Sequence, residues 1–519
     1  MKKIIIYCLF FTAILNACNK SSINNSISSD ETLIPRSEID GFIKNQLAIH
    51  QKCEWKMASY QIVWSALQHS DNILSIGYKP AGVNNIESNL HNIDINSNEW
   101  KKAKDFVLQL VLTSEQQLDK SIILKNILQW DEKILPVIDI VVKNPNTIKL
   151  LRASNLVRYA EPMGYEPADV AFKPTQNANN NAVSSSSGCD YNTAESGLVA
   201  NVDYTTISPA SKQSWNHSYH KIQNAWTKST GKGVKVFIID TGCEFDQENV
   251  GSKFNQGLSS GRTIEKIVTL PQSTFLGIPT GSVEIADDGC GHGTSMAGAC
   301  AAPRGTDGAA CGVAYNCNLI TCRAAADVYL DESREAKGVA DAFTVAANRS
   351  DVKIISMSMG RITSSSQIQD AINYAYGKGK LIFCAAGTSF SWTSSWFGVI
   401  FPAVLTQVNA VTGVRDNNYG NTCTDCHSGS ETDFTIVMEK ASNGRHPLTL
   451  AMSGDIPSTV GGSSVSTATA AGIAALVWSK FPSYNRDKIL SKLISTSANY
   501  PTRNASLGWG NLNADAATN

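Results

Sequence analysis

Val234-Lys235-Val236-Phe237-Ile238-Ile239-Asp240-Thr241-Gly242 decides the fold. Its first six residues are an almost unbroken apolar run of strand length, and the run ends on a carboxylate and a glycine turn. A strand that is apolar on both faces belongs to a parallel sheet covered by helices on either side. Reading outward, the same alternation continues. Asn318 to Cys322 reads as a second strand, and Val339, Ala342, Phe343 and Ala346 mark one face of a helix. Val352 to Met357 is a strand, Ile368, Ile372 and Ala375 mark another helix, and Leu381 to Cys384 and Val408 to Val414 are further strands. The expected fold is α/β, three layers around a mainly parallel sheet, over residues 205–519. In such folds sites gather at the carboxyl ends of the strands, where Asp240 lies.

Two more glycine-rich segments carry reactive groups. Gly291-His292-Gly293-Thr294 opens a stretch of small apolar residues, which puts His292 at a helix start. Gly462-Ser463-Ser464 precedes an Ala-rich helix read over Ser466 to Lys480. Ser464 then sits at a helix N-terminus, where free N–H groups and the dipole favour developing negative charge. Any one of these segments alone reads as a turn or a helix cap. Together they supply a nucleophile, a base and a carboxylate to orient the base. The order Asp, His, Ser is the one found in subtilisin.

The surrounding residues carry a fuller resemblance. Gly231-Lys232-Gly233-Val234-Lys235-Val236 with Asp240-Thr241-Gly242 resembles the aspartate segment of the subtilase family. Gly291-His292-Gly293-Thr294-Ser295-Met296-Ala297-Gly298 is similar to its histidine segment, with Gly312-Val313-Ala314 following in place. Gly462-Ser463-Ser464-Val465-Ser466-Thr467-Ala468-Thr469-Ala470-Ala471-Gly472 resembles the serine segment, and Gly508-Trp509-Gly510-Asn511-Leu512-Asn513-Ala514 the closing motif. The resemblance runs from about Trp215 to the C-terminus. It implies a serine endopeptidase with Asp240, His292 and Ser464 as triad and the Ser464 backbone N–H as an oxyanion donor. It implies polypeptide substrates and no required cofactor. Relatives often hold structural calcium, and the sequence assigns no metal ligands. Ser358-Met359-Gly360 resembles the strand that pairs with the substrate backbone, and Ala385-Ala386-Gly387 the opposite wall of the pocket. Neither wall carries a charge, which points to an apolar or permissive residue at the cut.

The chain departs from the family pattern at informative places. Thr388 stands where an oxyanion-donating Asn is usual. Val465-Ser466 and Ala468-Thr469 replace the usual Met-Ala and Pro-His. A threonine hydroxyl is a shorter donor than an amide, so the alternative reading is a subtilase-fold binding protein of low or no activity. A third reading comes from Cys423-Thr424-Asp425-Cys426-His427, which matches the C-x-x-C-H pattern of haem attachment. Its setting, a loop of Asn, Thr, Ser and Gly without an apolar pocket, points instead to a local disulfide or a loop metal site.

The N-terminal part reads as export and maturation machinery. Lys2 and Lys3 precede an apolar stretch, Ile4 to Leu15, too short to span a bilayer core of about 30 Å. Leu15-Asn16-Ala17-Cys18 resembles the bacterial lipobox, which implies a signal over residues 1–17 and a lipid on Cys18. The lipid would hold the exported chain at the membrane of the bacterial cell envelope; a plain secretory signal, with the protein secreted, is the alternative, and either way the chain leaves the cytoplasm. Residues 18–36 read as a tether. Residues 37–165 read as a smaller α+β prodomain. Trp100 to Leu112 is a helix there, Ile134 to Val142 a strand, Asn146 to Ser154 a helix and Leu156 to Ala160 a strand. The close, Leu156-Val157-Arg158-Tyr159-Ala160-Glu161-Pro162, is similar to the end of subtilase inhibitory prodomains. Residues 166–204, with an Asn-rich run and Ser184 to Ser187, read as a linker suited to a processing cut. The expected partners are polypeptide substrates, the chain's own prodomain and, through the lipid, a membrane.

Bulk properties agree with this reading. The 519 residues exceed one ordinary domain, and 42% hydrophobic with 17% charged residues is a globular composition. A formal net charge of −1 gives no basis for binding nucleic acid. Of the 13 cysteines, eleven remain once Cys8 and Cys18 are set aside. An odd number in an exported chain leaves at least one thiol free.

Overall fold

Leu74, Ile76 and Tyr78 alternate with Ser75 and Gly77, and a strand sends two such sets to opposite faces of a sheet. The computed structural model describes residues 31–167, 189, 192–275, 278–388 and 398–519. Residues 34–519 form one compact unit. The signal, Cys18 and the Asn- and Ser-rich core of the expected linker lie outside the described residues. In the N-terminal part, β1 (Ile73–Tyr78) pairs antiparallel with both β3 (Val137–Val141) and β4 (Val157–Pro162), and β2 (Leu128–Asp131) lies outside β3. Helices α1 (Arg36–His50), α2 (Tyr60–Gln68), α3 (Asn98–Glu115) and α4 (Pro145–Ala153) accompany this sheet. Tyr78 packs edge-on against Trp100 of α3, with ring centroids 6.1 Å apart. The strand expected from Ile134 starts at Val137, because Pro136 has no N–H to give a ladder.

Among the described residues the larger sheet has seven strands, all parallel. They are β5 (Lys235–Asp240), β6 (Ile264–Val268), β7 (Asn318–Arg323), β8 (Val352–Met357), β9 (Leu381–Ala385), β10 (Asn409–Arg415) and β11 (Thr432–Glu439). Their spatial order is β11-β10-β9-β8-β5-β7-β6, so the strand that decides the fold lies inside the sheet. Val236 and Ile238 join one buried cluster with α5 (His292–Ala301) and α8 (Gly462–Lys480). Phe237 and Ile239 join another with α6 (Ser333–Asn348) and α7 (Ser366–Gly377). The three layers expected from sequence are thus present. The edge strands β6 and β11 had no clear sequence signal. Ile264-Glu265-Lys266-Ile267-Val268 is half-exposed and interrupted by charge, as an edge allows.

The second cluster does not stop at α6 and α7. It continues into the N-terminal sheet, whose polar residues face those helices. Ser75 Oγ donates to Gln367 Oε1 at 3.1 Å, and Gln367 Nε2 donates to Glu132 at 2.9 Å and Asp139 at 3.0 Å. Arg158 and Tyr159 both hold Asp370. Two helix starts supply donors across the junction. Asp71 accepts from Ser333 Oγ at 2.9 Å, and Glu161 accepts from both the backbone and the hydroxyl of Ser366, the latter at 2.9 Å.

The expected linker is packed at its C-terminal end. Cys189 is disulfide-bonded to Cys290, Asn192 and Asp203 are buried, and Tyr204–Ile207 pairs antiparallel with Ser211–Ser214. No helix among the described residues is long and apolar enough to cross a membrane.

Candidate functional site

Asp240 ends β5, fully buried, and its position follows from the strand that precedes it. Its Oδ1 accepts from the Thr241 backbone N–H at 2.9 Å and pairs with His292 Nδ1 at 2.7 Å. His292 is the first residue of α5. That helix reaches β5 because Gly293 has no side chain: a Cβ there would lie 2.2 Å from Gly242 O. Gly291 supplies the left-handed turn at φ +84° that starts the helix. Burial alone would depress the His292 imidazole. The Asp240 carboxylate outweighs it, with help from Asp288 and Asp327, and holds the ring above the ordinary histidine range.

Sequence reading missed Asp288, which organises this corner. Its Oδ1 accepts from Thr241 Oγ1 at 2.8 Å and from the N–H groups of Cys290 at 3.1 Å and Gly291 at 2.8 Å. Its Oδ2 accepts from the N–H and the hydroxyl of Thr294, each at 2.7 Å. One buried carboxylate ties both reactive segments together. Its place four residues before His292, beside Asp287, was the available signal. Asn192 adds a brace from the linker side, donating to Gly291 O at 3.0 Å.

Ser464 lies in the first turn of α8, which begins at Gly462, four residues earlier than expected. Ser464 and His292 line the same cleft, of about 470 Å³. The Ser464 hydroxyl bonds to Ser358 O at 3.3 Å rather than to the imidazole, while Ser358 Oγ donates to Ser464 O at 3.0 Å. For Oγ to reach the imidazole, its bond to Ser358 O must break. Such hydrogen bonds often tighten only with substrate present.

Among the expected wall residues, Ser358, Met359, Gly360, Ala385, Gly387 and Thr388 line the cleft. Ala386 does not. Its backbone bonds to Val411 and Ile400, and its side chain lies in the core. Thr388 is less free than its position suggests. Its Oγ1 accepts from the Ser463 N–H at 3.1 Å and shares a hydrogen bond of 3.1 Å with Ser463 Oγ, which also accepts from the Gly387 N–H at 3.1 Å. If Ser463 is the donor of the shared bond, the Thr388 proton is left for the cleft. Ser463, overlooked in the sequence, thus sets what Thr388 can do.

The Cys423 segment corrects the expectation of a polar loop without an apolar setting. Cys423 and Cys426 form a disulfide and are buried in the cluster with α5 and α8. Both sulfurs are consumed, so neither is available for a haem thioether or a metal. The loop lies on the cleft wall: the His427 N–H donates to Gly387 O at 2.9 Å, and Cys426 pairs with Thr388. Burial depresses the His427 imidazole to about 4. The remaining seven described cysteines are free and buried. No group of three or more His, Cys, Asp or Glu among the described residues is placed to hold a metal ion.

This geometry can be set beside known proteins. Residues 231–510 match the sequence profile of the Subtilase family, Peptidase_S8. A subtilisin of Bacillus sp. (strain TA39) is 27% identical over 278 residues, covering 51% of this chain and 61% of that protein. Alkaline elastase YaB of Bacillus sp. (strain YaB) is 29% identical over 289 residues, with coverages of 56% and 65%. Each of these two matches spans less than two thirds of the relative. The epidermin leader peptide processing serine protease of Staphylococcus aureus superposes with a TM-score of 0.57 over 86% of this chain and 99% of that one, at 17% identity, which bears on fold. More than half of the chain matches the profile, and the chain belongs to the subtilase family.

Proposed function

We propose that the chain is a serine endopeptidase made as an exported zymogen, with Asp240, His292 and Ser464 as its triad. The observation that carries this reading is the buried Asp240–His292 couple at 2.7 Å, opening on the cleft that Ser464 also lines. In the mechanism, Ser464 Oγ attacks the scissile carbonyl carbon while His292 Nε2 takes its proton. Asp240 fixes the Nδ1–H tautomer and stabilises the imidazolium. The tetrahedral oxyanion is met by the Ser464 N–H and the Thr388 hydroxyl. Collapse expels the amine, which takes the proton from His292 and leaves an acyl-enzyme. Water, deprotonated by the same imidazole, then releases the acid.

The N-terminal sheet, seated on α6 and α7, is the inhibitory prodomain on this reading, and the cut falls between residues 160 and 205. The two disulfides among the described residues suit an oxidising compartment. Lipidation of Cys18 would hold the protein at the cell envelope. The engaged Thr388 hydroxyl favours a second reading, a binding protein of low activity. A fluorophosphonate probe separates the two. It should label Ser464 in the wild-type protein and not in Ser464→Ala, and that variant should accumulate uncut. An unlabelled wild-type chain refutes the peptidase reading, and normal processing of the variant in a host lacking other exported proteases refutes self-cleavage.

A further inference from the structure

Arg361 follows the wall residues Ser358, Met359 and Gly360 directly and is fully buried. Its Nε donates to Glu166 Oε1 at 2.8 Å, its Nη1 to Met163 O at 2.8 Å, and its Nη2 to Thr363 Oγ1 at 3.1 Å and Tyr165 O at 3.4 Å. The same carboxylate accepts from Tyr329 Oη at 2.8 Å, from the Thr363 hydroxyl, and from the Thr363 N–H at 3.4 Å. Three side chains from two loops therefore converge on one buried carboxylate. The socket adjoins the cleft: Tyr329 and Gly360 both line it, and their backbones pair.

On the reading proposed above, and for a cut that falls after Glu166 within its window of residues 160 to 205, residues 163–166 stay with the N-terminal segment. The donors Arg361, Tyr329 and Thr363 belong to the peptidase and remain. The carboxylate and two of the carbonyls that satisfied the guanidinium leave. Departure of Glu166 leaves the guanidinium its bond to Thr363 and the influence of Asp331, and the vacated socket selects an anion. We propose that Arg361, Tyr329 and Thr363 form a subsite that recognises a glutamate side chain of polypeptide substrates on the N-terminal side of the scissile bond.

Two observations fix the position. Glu166 precedes any cut made after it, so the socket reads residues N-terminal to the cut. Ser358 O is 3.3 Å from Ser464 Oγ, and Arg361 lies three residues further along the wall, about 10 Å away at strand spacing. The glutamate therefore sits three or four residues before the bond that is cut. Asp331 stays with the peptidase, and its carboxyl, raised to about 6 by burial and then by Glu332 and Glu166, is drawn back down by Arg361.

The test uses wild-type protein processed from the full-length chain and a proteome-derived peptide library, followed by peptide pairs differing only in Glu or Gln at the third or fourth position before the cut. Glutamate should be enriched there, and the Glu member should have a kcat/KM higher by on the order of tenfold, mainly through KM. Arg361→Met should abolish the preference. Should that variant fail to fold, Tyr329→Phe keeps the guanidinium and should weaken the preference several-fold. Equal cleavage of both peptides by protein that labels with fluorophosphonate overturns the subsite and leaves Arg361 as a clamp for the N-terminal segment. Protein that neither labels nor cleaves overturns the peptidase reading and this inference with it.

Discussion

Asp139 of β3 is fully buried where the N-terminal sheet meets α7, with Gln367 Nε2 donating to it at 3.0 Å. Burial, and then the Glu132 carboxylate, push its pKa up to about 8, against the pull of Lys337 and of hydrogen bonds from Ser75 and Gln367. The folded chain therefore keeps a proton that the unfolded chain releases near pH 4. A raised folded pKa gives stability that is complete below the unfolded value and is lost as pH climbs through the folded one. For Asp139 the loss runs from about pH 4 to about pH 8, at roughly 1.4 kcal/mol per unit. Asn is close in shape to the protonated carboxyl, still accepts from Gln367, and does not titrate. Urea unfolding of the uncut Ser464→Ala chain at pH 5, 6, 7 and 8, with and without Asp139→Asn, measures the difference. The Asn chain should lose stability less steeply, by about 1 kcal/mol per pH unit, and should gain on its parent as pH rises. Glu161, raised to about 7, and Asp341, raised to about 6, act on both chains and cancel in the comparison. Parallel profiles would refute the reasoning and mean that Asp139 is folded as an ion, with Lys337 its counter-charge.

Two further expectations concern the site. Thr388→Asn should raise kcat with little change in KM, and Thr388→Val should lower it on the order of tenfold, read in one peptide assay. If neither moves kcat while Ser464→Ala abolishes it, Thr388 is not an oxyanion donor. Asp288→Asn keeps the shape but removes the charge that five donors share. It should cost about 2–3 kcal/mol in urea unfolding and lower kcat more than it raises KM, and an unchanged pair of values would reduce Asp288 to a spectator.

Strands buried on both faces announced themselves in the sequence, because an unbroken run such as Val236 to Ile239 has no other use in a chain of this composition. Helix starts marked by glycine were legible in part: Gly291, at φ +84°, opens α5 where expected, while α8 begins at Gly462, at φ +79°, four residues before the start read from its Ala-rich run. Contacts between residues far apart in the chain were not. Nothing near Thr388 says that Ser463, 75 residues later, takes its hydroxyl. Nothing near Cys189 names Cys290 as its partner 101 residues away. The Cys423 motif was misjudged in setting for a related reason. Its neighbours in sequence are polar, but its neighbours in space are the α5 and α8 core and the cleft wall.

The N-terminal sheet shows the same limit from the other side. An antiparallel sheet commonly turns its polar face, here Ser75, Asp139 and Glu161, to water. Instead they meet a second polar surface, on α6 and α7, that water has left. Burying that many acids is unfavourable unless each finds a donor, and each finds one at a helix start or a helix amide: Ser366 for Glu161, Gln367 for Asp139, Ser333 for Asp71. Hydrogen bonds of this kind are directional and fix one docking register, whereas an apolar face of the same area would allow the sheet to slide. They also make the junction separable. Acids whose proton affinity is raised by burial, as at Asp139 and Glu161, regain hydration and ionise when the sheet departs, so rising pH favours release. A contact surface that is specific when seated and self-solvating when freed is what the zymogen reading asks of an inhibitory segment.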